Sequence, residues 1–332
     1  MSSTFKKIVF LAATTLPLLL HARKVIVESV QIEKGPWLTG PLLSPSGHVI
    51  PFGHQNYEPY FYWTDNKRTY NSHWHTQNIP HYKTFLFQGT VQFGILPNTE
   101  LDLSPQFAYN NTQGVHTWLV SDFPFALGFQ ALMDSPTTWV PAMKIRVGAV
   151  VPIGKYDRLD PKKVFTDVGG LGNWYPSLGV VFTYTFDYGN YHFLCWRTFF
   201  DYSIATPVRV HGLSIYGGAP SINGIKGTRG TVYPGNIFTA IQGFEYTLNL
   251  NWVLACDIQY QHFNRTRFSG HSPKGTKPKA PSSEQFSIAP ALEYNFNANV
   301  GIIAGPWFTV AGRNSNLTFD FISWVLAINI YN

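Results

Sequence analysis

The sequence predicts an all-β chain, a single antiparallel transmembrane β-barrel of about 12 strands, and three observations predict it. Charged residues make up 13% of the 332 residues and aromatics 16%, whereas a soluble domain carries roughly 25% charge. Long segments alternate singly between apolar and uncharged polar residues, which gives one face to lipid and the other to water. The connections between these segments alternate in length, with short turns on one side and mostly longer links on the other. Periplasmic turns and larger outward loops distinguish the two ends of outer-membrane barrels in this way.

From the N-terminus, Lys6 and Lys7 precede a thirteen-residue apolar run from Ile8 to Leu20, and His21-Ala22 closes it with a small residue. This is the layout of a secretory signal peptide over 1–22, cleaved after Ala22. The run is shorter than the ~20 residues of a spanning helix. Cleavage removes two lysines and leaves the formal charge of +6 at +4. That mild balance, without a basic helix or zinc-finger spacing, gives nucleic-acid binding no support. The segment 23–55 is rich in Gly and Pro and precedes the first strand. Our hypothesis is that it enters the lumen from the periplasmic side as a plug.

The barrel proper is expected over 56–332. Gln285 to Asn297 sets the pattern: Phe286, Ile288, Pro290, Leu292, Tyr294 and Phe296 share one face, and Gln285, Ser287, Glu293, Asn295 and Asn297 the other. The segments Glu100 to Asn110 and Ser177 to Tyr188 repeat it. A helix needs spacings of three and four instead. The same reading predicts strands at 56–66, 82–95, 100–110, 119–132, 139–151, 175–188, 190–203, 235–248, 250–263, 285–297, 299–312 and 317–331. Each is long enough to cross a bilayer at barrel tilt. Tyr57, Trp63, Trp118, Trp139, Trp174, Tyr175 and Tyr188 recur near strand ends, where interfacial girdles belong. Longer links are expected at 67–81, 111–118, 152–174, 204–234 and 264–284. Closure satisfies every backbone group in lipid, and an even strand number leaves both termini on the turn side. Cys195 and Cys256 fall on opposite faces and read as packing residues rather than a disulfide.

The stretches GPLLSPSGHVIPFGH before the first strand, VGAVVPIGKYD leaving the fifth, and GPWFTVAGRNSN before the last carry a family resemblance. The chain resembles the outer-membrane β-barrel transporters grouped under "MetA-pathway of phenol degradation", related in architecture to long-chain fatty-acid channels. The resemblance implies a channel passing small aromatic or apolar molecules across the bacterial outer membrane, and supplies no catalytic residue. The last strand ends Ile330-Tyr331-Asn332, with an aromatic one position from the end, where barrel-insertion machinery reads a terminal aromatic. That machinery, outer-membrane lipid and lipopolysaccharide, and a small-molecule solute are the expected partners.

Candidate functional residues lie on the polar parity. Glu58, Asp102, Lys144, Arg146, Asp187, Arg197, Asp201, Glu245, Asp257 and Glu293 are assigned to the lumen, because Arg or Lys facing lipid at mid-depth costs about 2–4 kcal/mol. They form either a selectivity surface or a structural network of paired charges. The 264–283 link holds Arg265, Arg267, Lys274, Lys277 and Lys279 without an acid; these cations are candidates for lipopolysaccharide phosphates, against the plainer reading of a solvated loop. His73-x-His75 can reach one metal ion, but a site needs further ligands and no Cys lies nearby, so no metal or cofactor is expected. Gly169-Gly170-Leu171-Gly172 lacks the Gly-Lys-Ser/Thr ending of a phosphate loop and reads as a flexible loop tip. No Gly-x-Ser-x-Gly elbow occurs, so an enzyme is not expected. A non-conducting structural or adhesin-like barrel is the alternative to a channel, and a membrane-embedded hydrolase a more distant one.

Overall fold

The structure, a computed structural model, describes residues 36–135, 137–221, 226–314 and 319–332; the expected signal peptide and the first part of the Gly/Pro-rich segment lie outside the described residues. The strands are β1 (Gln55–Tyr70), β2 (Thr76–Leu96), β3 (Thr99–Leu103), β4 (Gln106–Thr112), β5 (Val115–Val120) and β6 (Phe123–Leu132). They continue with β7 (Ala142–Val151), β8 (Ser177–Asp187), β9 (Phe193–Ser203), β10 (Val208–His211), β11 (Arg229–Tyr233) and β12 (Ile237–Thr247). The last are β13 (Trp252–Phe263), β14 (Arg267–His271), β15 (Ser283–Asn295), β16 (Val300–Arg313) and β17 (Asp320–Tyr331).

Fourteen of these form one antiparallel sheet that closes on itself, because β1 pairs with both β2 and β17. β3 and β4 both lie along β2, one against each half, and are one wall strand broken at Ser104-Pro105. β5 and β6 are likewise one strand, broken at Ser121-Asp122. The wall therefore has twelve strands. At the first break Pro105 has no N–H to give, and its carbonyl takes the Gly89 amide at 3.0 Å; at the second, Ser121 N reaches Gln106 O at 3.0 Å while Asp122 N turns to Gly169 O.

Both ends of the wall meet at the turn end, where the Gln55 amide donates to Asn332 O at 2.9 Å. At the loop end the expectation needs correcting in two places. The links expected at 67–81 and 111–118 are mostly strand: β1 and β2 run on as a hairpin closed by 71–75, and β4 and β5 meet at Gln113-Gly114. Both of those residues have positive φ, 49° and 79°, the backbone of a two-residue primed turn whose twist suits a hairpin. The long connections are 152–176, 204–236 and 264–282. β10, β11 and β14 fold from the last two into a small sheet, burying Val208, Val210 and Val232 under Tyr156, Tyr216 and Phe268. The Gly169–Gly172 stretch is no free tip either. Asp122 N donates to Gly169 O at 3.1 Å, the Asp122 carboxylate takes the Gly154 and Leu171 amides, and Asn110 reaches Thr166 O and Val168 O.

Candidate functional site: the lumen and its N-terminal segment

Odd and even positions separate cleanly on the wall. Trp63 and Trp324, which pair across β1 and β17, are 63% and 61% exposed and face outward. Because β1 continues to Tyr70, Trp63 lies in mid-strand rather than at a girdle. The opposite parity holds the buried polar residues. Lys144, 1% exposed, places Nζ 2.5 Å from Glu100 Oε1, and Arg146 places Nη2 2.7 Å from Asp102. Arg197 meets Glu245 at 2.8 Å. Glu58 accepts from Asn56, Tyr60 and Asn329, and Asp201 accepts from Ser203. Asp187 stands apart from the other lumen candidates. It is exposed at the end of β8 and caps the turn by accepting the Gly189 amide at 2.7 Å, since the turn leaves that N–H without a ladder partner.

Residues 36–54 cross the lumen, and buried acids of the wall take their backbone amides. Thr39 N donates to Glu293 at 2.6 Å, Gly40 N to Glu245 at 2.9 Å, and Leu43 N and Ser44 N to Asp257 at 2.8 and 3.3 Å. Farther along, Gly47 N reaches Thr183, Val49 N reaches Gln130, and Ile50 N reaches Glu100, each at 2.8 Å. Lys144 returns a bond to His48 O at 3.1 Å. The acceptors come from β15, β12, β13, β8, β6 and β3, so the segment touches wall strands around most of the circumference. Leu42 packs with Ala255, Ala289, Ile303, Val325 and Ala327, and Leu43 against Val181, Phe199 and Ile241.

Glycines on the wall make room for it. A Cβ on Gly94 would sit 1.9 Å from Pro51 O, and one on Gly243 would sit 2.1 Å from Ser44 Oγ. Neither position tolerates a side chain without moving the segment. The participation of Glu100, Gln130 and Thr183 was not picked out by the sequence; the inward glycines were the available signal.

The segment leaves one side of the lumen open. A cavity of about 830 Å³ runs beside it along β1 and β2, from Gln92 and Tyr331 near the turn end to Thr64 and Thr84. Its middle is apolar and aromatic, with Tyr60 and Tyr62 stacked at 5.9 Å and Leu86, Phe199 and Trp307 on the other walls. Asn56, Glu58, Thr90, Gln92 and Asp102 line the turn end, while Gln88 lies opposite Tyr60 and Arg146 and Arg197 also border the cavity. Arg146 lies 5.9 Å from the Phe199 ring centre.

The histidines form no common centre. His48 and His54 lie before β1 at the turn end, His48 bonded to Asp134 at 3.0 Å. His73 and His75 lie at the far end of β1, and His81 on β2 pairs with Asp65. Among the described residues no group of three or more His, Cys, Asp or Glu is placed to hold a metal. The five loop cations are all exposed; Arg267 opens β14 and the others flank it.

No family model and no curated protein matches the chain. Solved structures do. The crystal structure of an outer membrane channel from Pseudomonas putida F1 superposes with a TM-score of 0.64 at 11% identity, over 86% of this chain and 98% of that one. The translocator domain of the autotransporter NalP from Neisseria meningitidis gives 0.46 at 9% identity, covering 83% and 88%. The Ralstonia pickettii toluene transporter TbuX gives 0.38 at 10%, covering 85% and 90%. At such identities the likeness is one of fold, and on the first of them this chain folds as an outer-membrane-type β-barrel of twelve strands.

Proposed function

We propose that the chain is an outer-membrane channel for passive passage of small aromatic or apolar molecules, gated by residues 36–54. The observation that carries this reading is the 830 Å³ cavity beside the docked segment, polar toward the turn end and aromatic in its middle. A pore for ions alone has no use for stacked tyrosines and an indole on its wall; an apolar solute gains roughly 25 cal/mol per Å² of surface it removes from water there. The resemblance of the Gly/Pro-rich stretches to the phenol-degradation transporter family implies the same class of solute. Export by a signal peptide and delivery by barrel-insertion machinery belong to the same proposal.

The test is reconstitution into planar bilayers and liposomes with a solute panel. Small aromatic solutes should enter liposomes faster than sugars of similar mass, and deletion of 36–50 should raise single-channel conductance. Equal, background-level permeation of every solute by both proteins would overturn the reading. That result would instead favour a non-conducting structural or adhesin-like barrel, for which the segment bonded across the lumen is the supporting observation. The lumen offers a hydrolase little, because its carboxylates are engaged by guanidiniums, an ammonium, side-chain donors and backbone amides.

A further inference from the structure

At the loop end, a crevice of about 1090 Å³ opens between the small β10–β11–β14 sheet and the barrel rim. Tyr233, Asn236, His262, Arg265, Arg267 and Phe268 line it. Of the five loop cations only Arg265 and Arg267 do so; they are two apart in an extended chain and therefore share a side, roughly 7 Å from each other. Neither has an ion-pair partner among the described residues. Glu284, which pairs with His262 across β13 and β15, is taken by Arg313 at 2.9 Å and by His262 at 3.5 Å.

The depth of the crevice follows from the aromatics beside it. Phe200, Phe238, Tyr260 and Phe286 form a continuous outward band, with neighbouring ring centres 6.5, 6.4 and 4.7 Å apart. Such a band marks the boundary between hydrocarbon and headgroups. His262 lies two residues beyond Tyr260 on the same face of β13, and Glu284 two residues beyond Phe286 on β15, roughly 7 Å farther out. Asn236, on the rim before β12, donates to the Tyr202 hydroxyl at 2.9 Å. Arg265 and Arg267 line the same crevice, following Asn264, whose amide donates to Asn236 O at 2.9 Å. Their fork geometry matches phosphate oxygens, and their alkyl stems can lie along Tyr233 and Phe268.

We propose that this crevice binds the phosphorylated headgroup of an outer-leaflet glycolipid, the lipopolysaccharide class, with Arg265 and Arg267 on phosphate and the acyl chains against the Phe238–Tyr260–Phe286 band. The proposal rests on the barrel lying in an outer membrane, and it separates these two arginines from Lys274, Lys277 and Lys279, which lie outside the crevice.

The experiment uses the full chain refolded in detergent. Retention of lipopolysaccharide is measured by native mass spectrometry for the wild type, for R265Q/R267Q and for K274Q/K277Q/K279Q. The probes are lipopolysaccharide, its dephosphorylated form, and inorganic pyrophosphate as a soluble phosphate. R265Q/R267Q should weaken retention about tenfold or more, in line with two lost charge-assisted contacts, and the triple lysine variant should stay near wild type. Dephosphorylated lipid should bind like the R265Q/R267Q combination with intact lipid. Undiminished retention in R265Q/R267Q, equal retention of the dephosphorylated lipid, or pyrophosphate binding as tight as the lipid would each overturn the proposal. Bilayer conductance of the same samples separates the two readings: a failed lipid site leaves conductance intact, whereas a failed channel shows none in any variant.

Discussion

Replacing Asp257 by Ala removes the acceptor of two amides, Leu43 N at 2.8 Å and Ser44 N at 3.3 Å. A hydrogen bond to a charged group contributes about 1.5–3 kcal/mol, with long bonds at the low end, so docking of the segment should weaken by about 3 kcal/mol. At 1.4 kcal/mol per decade, that is roughly a hundredfold shift toward the undocked state. The barrel should survive, because β13 holds β12 and β15 through its backbone ladder and not through this side chain. The assay is open probability in single-channel recordings. The control is Asp201→Ala, which removes an inward carboxylate that the segment does not touch and so reports the effect of luminal charge alone. If Asp257→Ala and Asp201→Ala gave the same open probability, the amide–carboxylate bonds would not be holding the segment and the reasoning would fail.

Gly243→Val should act in the same direction by sterics, since even a Cβ there meets Ser44 Oγ at 2.1 Å and Pro41 Cγ at 3.1 Å; unchanged conductance would mean the segment is not packed on that wall. Lys144→Met leaves Glu100, 0% exposed, as an unpaired buried charge, which costs about 3–5 kcal/mol; urea unfolding followed by electrophoretic mobility should show the loss, and adding Glu100→Gln should restore most of it. Leu292→Arg puts a cation on the lipid face near mid-depth and should cost about 2–4 kcal/mol in the same unfolding assay, a cost that a soluble sandwich would not show. The hydrogen bond from His48, together with its charge, holds the Asp134 carboxyl below the ordinary range against the opposing effect of burial. A depressed carboxylate stabilises above its unfolded value, about 3.9, and that contribution is lost as pH falls through the lower folded value. Asp134→Asn should therefore differ from wild type in unfolding midpoint at pH 5–7, and the difference should vanish in strong acid; a difference that grew as pH fell would contradict the assignment.

How much of this was legible in the sequence depends on the range of the interactions. The strands were legible because alternation is local: Phe286 to Phe296 declare the oily face of β15 within eleven residues. Even Pro290 and Pro306, which belong on edges in an open sheet, fit a closed wall. The β15–β16 ladder skips the rungs between Ile288↔Phe308 and Leu292↔Ala304, where Gly305 lies so close to Pro290 O that a Cβ would be 2.1 Å from it. Strand parity and the cost of a charge in lipid together assign Glu58, Asp102, Lys144, Arg146, Arg197, Asp201, Glu245, Asp257 and Glu293 to the inward face, whereas Asp187 caps a turn. What could not be read is which acids take amides, because Thr39 and Glu293 are 254 residues apart and backbone donors leave no mark in side-chain pattern. Loop folds failed for a related reason. Gly169 and Gly170 look like a mobile tip in isolation, and are held by the Asp122 amide at the β5–β6 break and by the Lys155 carbonyl, which takes both their amides.

The chemistry of the docked segment explains why the wall needs acids at all. Residues 36–54 carry no Asp, Glu, Lys or Arg, and Pro41, Pro45 and Pro51 interrupt them every few positions. A chain so punctuated can form neither helix nor ladder, so inside the barrel its N–H groups need partners that it cannot supply to itself. A carboxylate is the strongest acceptor available and can take two amides at once, as Asp257 does. The same fact makes the burial reversible. Asp257 and Glu293 have no ion-pair partner among the described residues, so their burial depends on hydrogen-bond donors: the segment's amides and, for Glu293, also the Asn295 side chain. Withdrawing the segment returns both carboxylates to water, which solvates them well, and returns the amides to water too. Two cation-paired acids would instead lock a core whether or not a segment lay against them. Amide-held acids bind the segment tightly when it is present and cost little when it is gone, which is the balance that a gate requires.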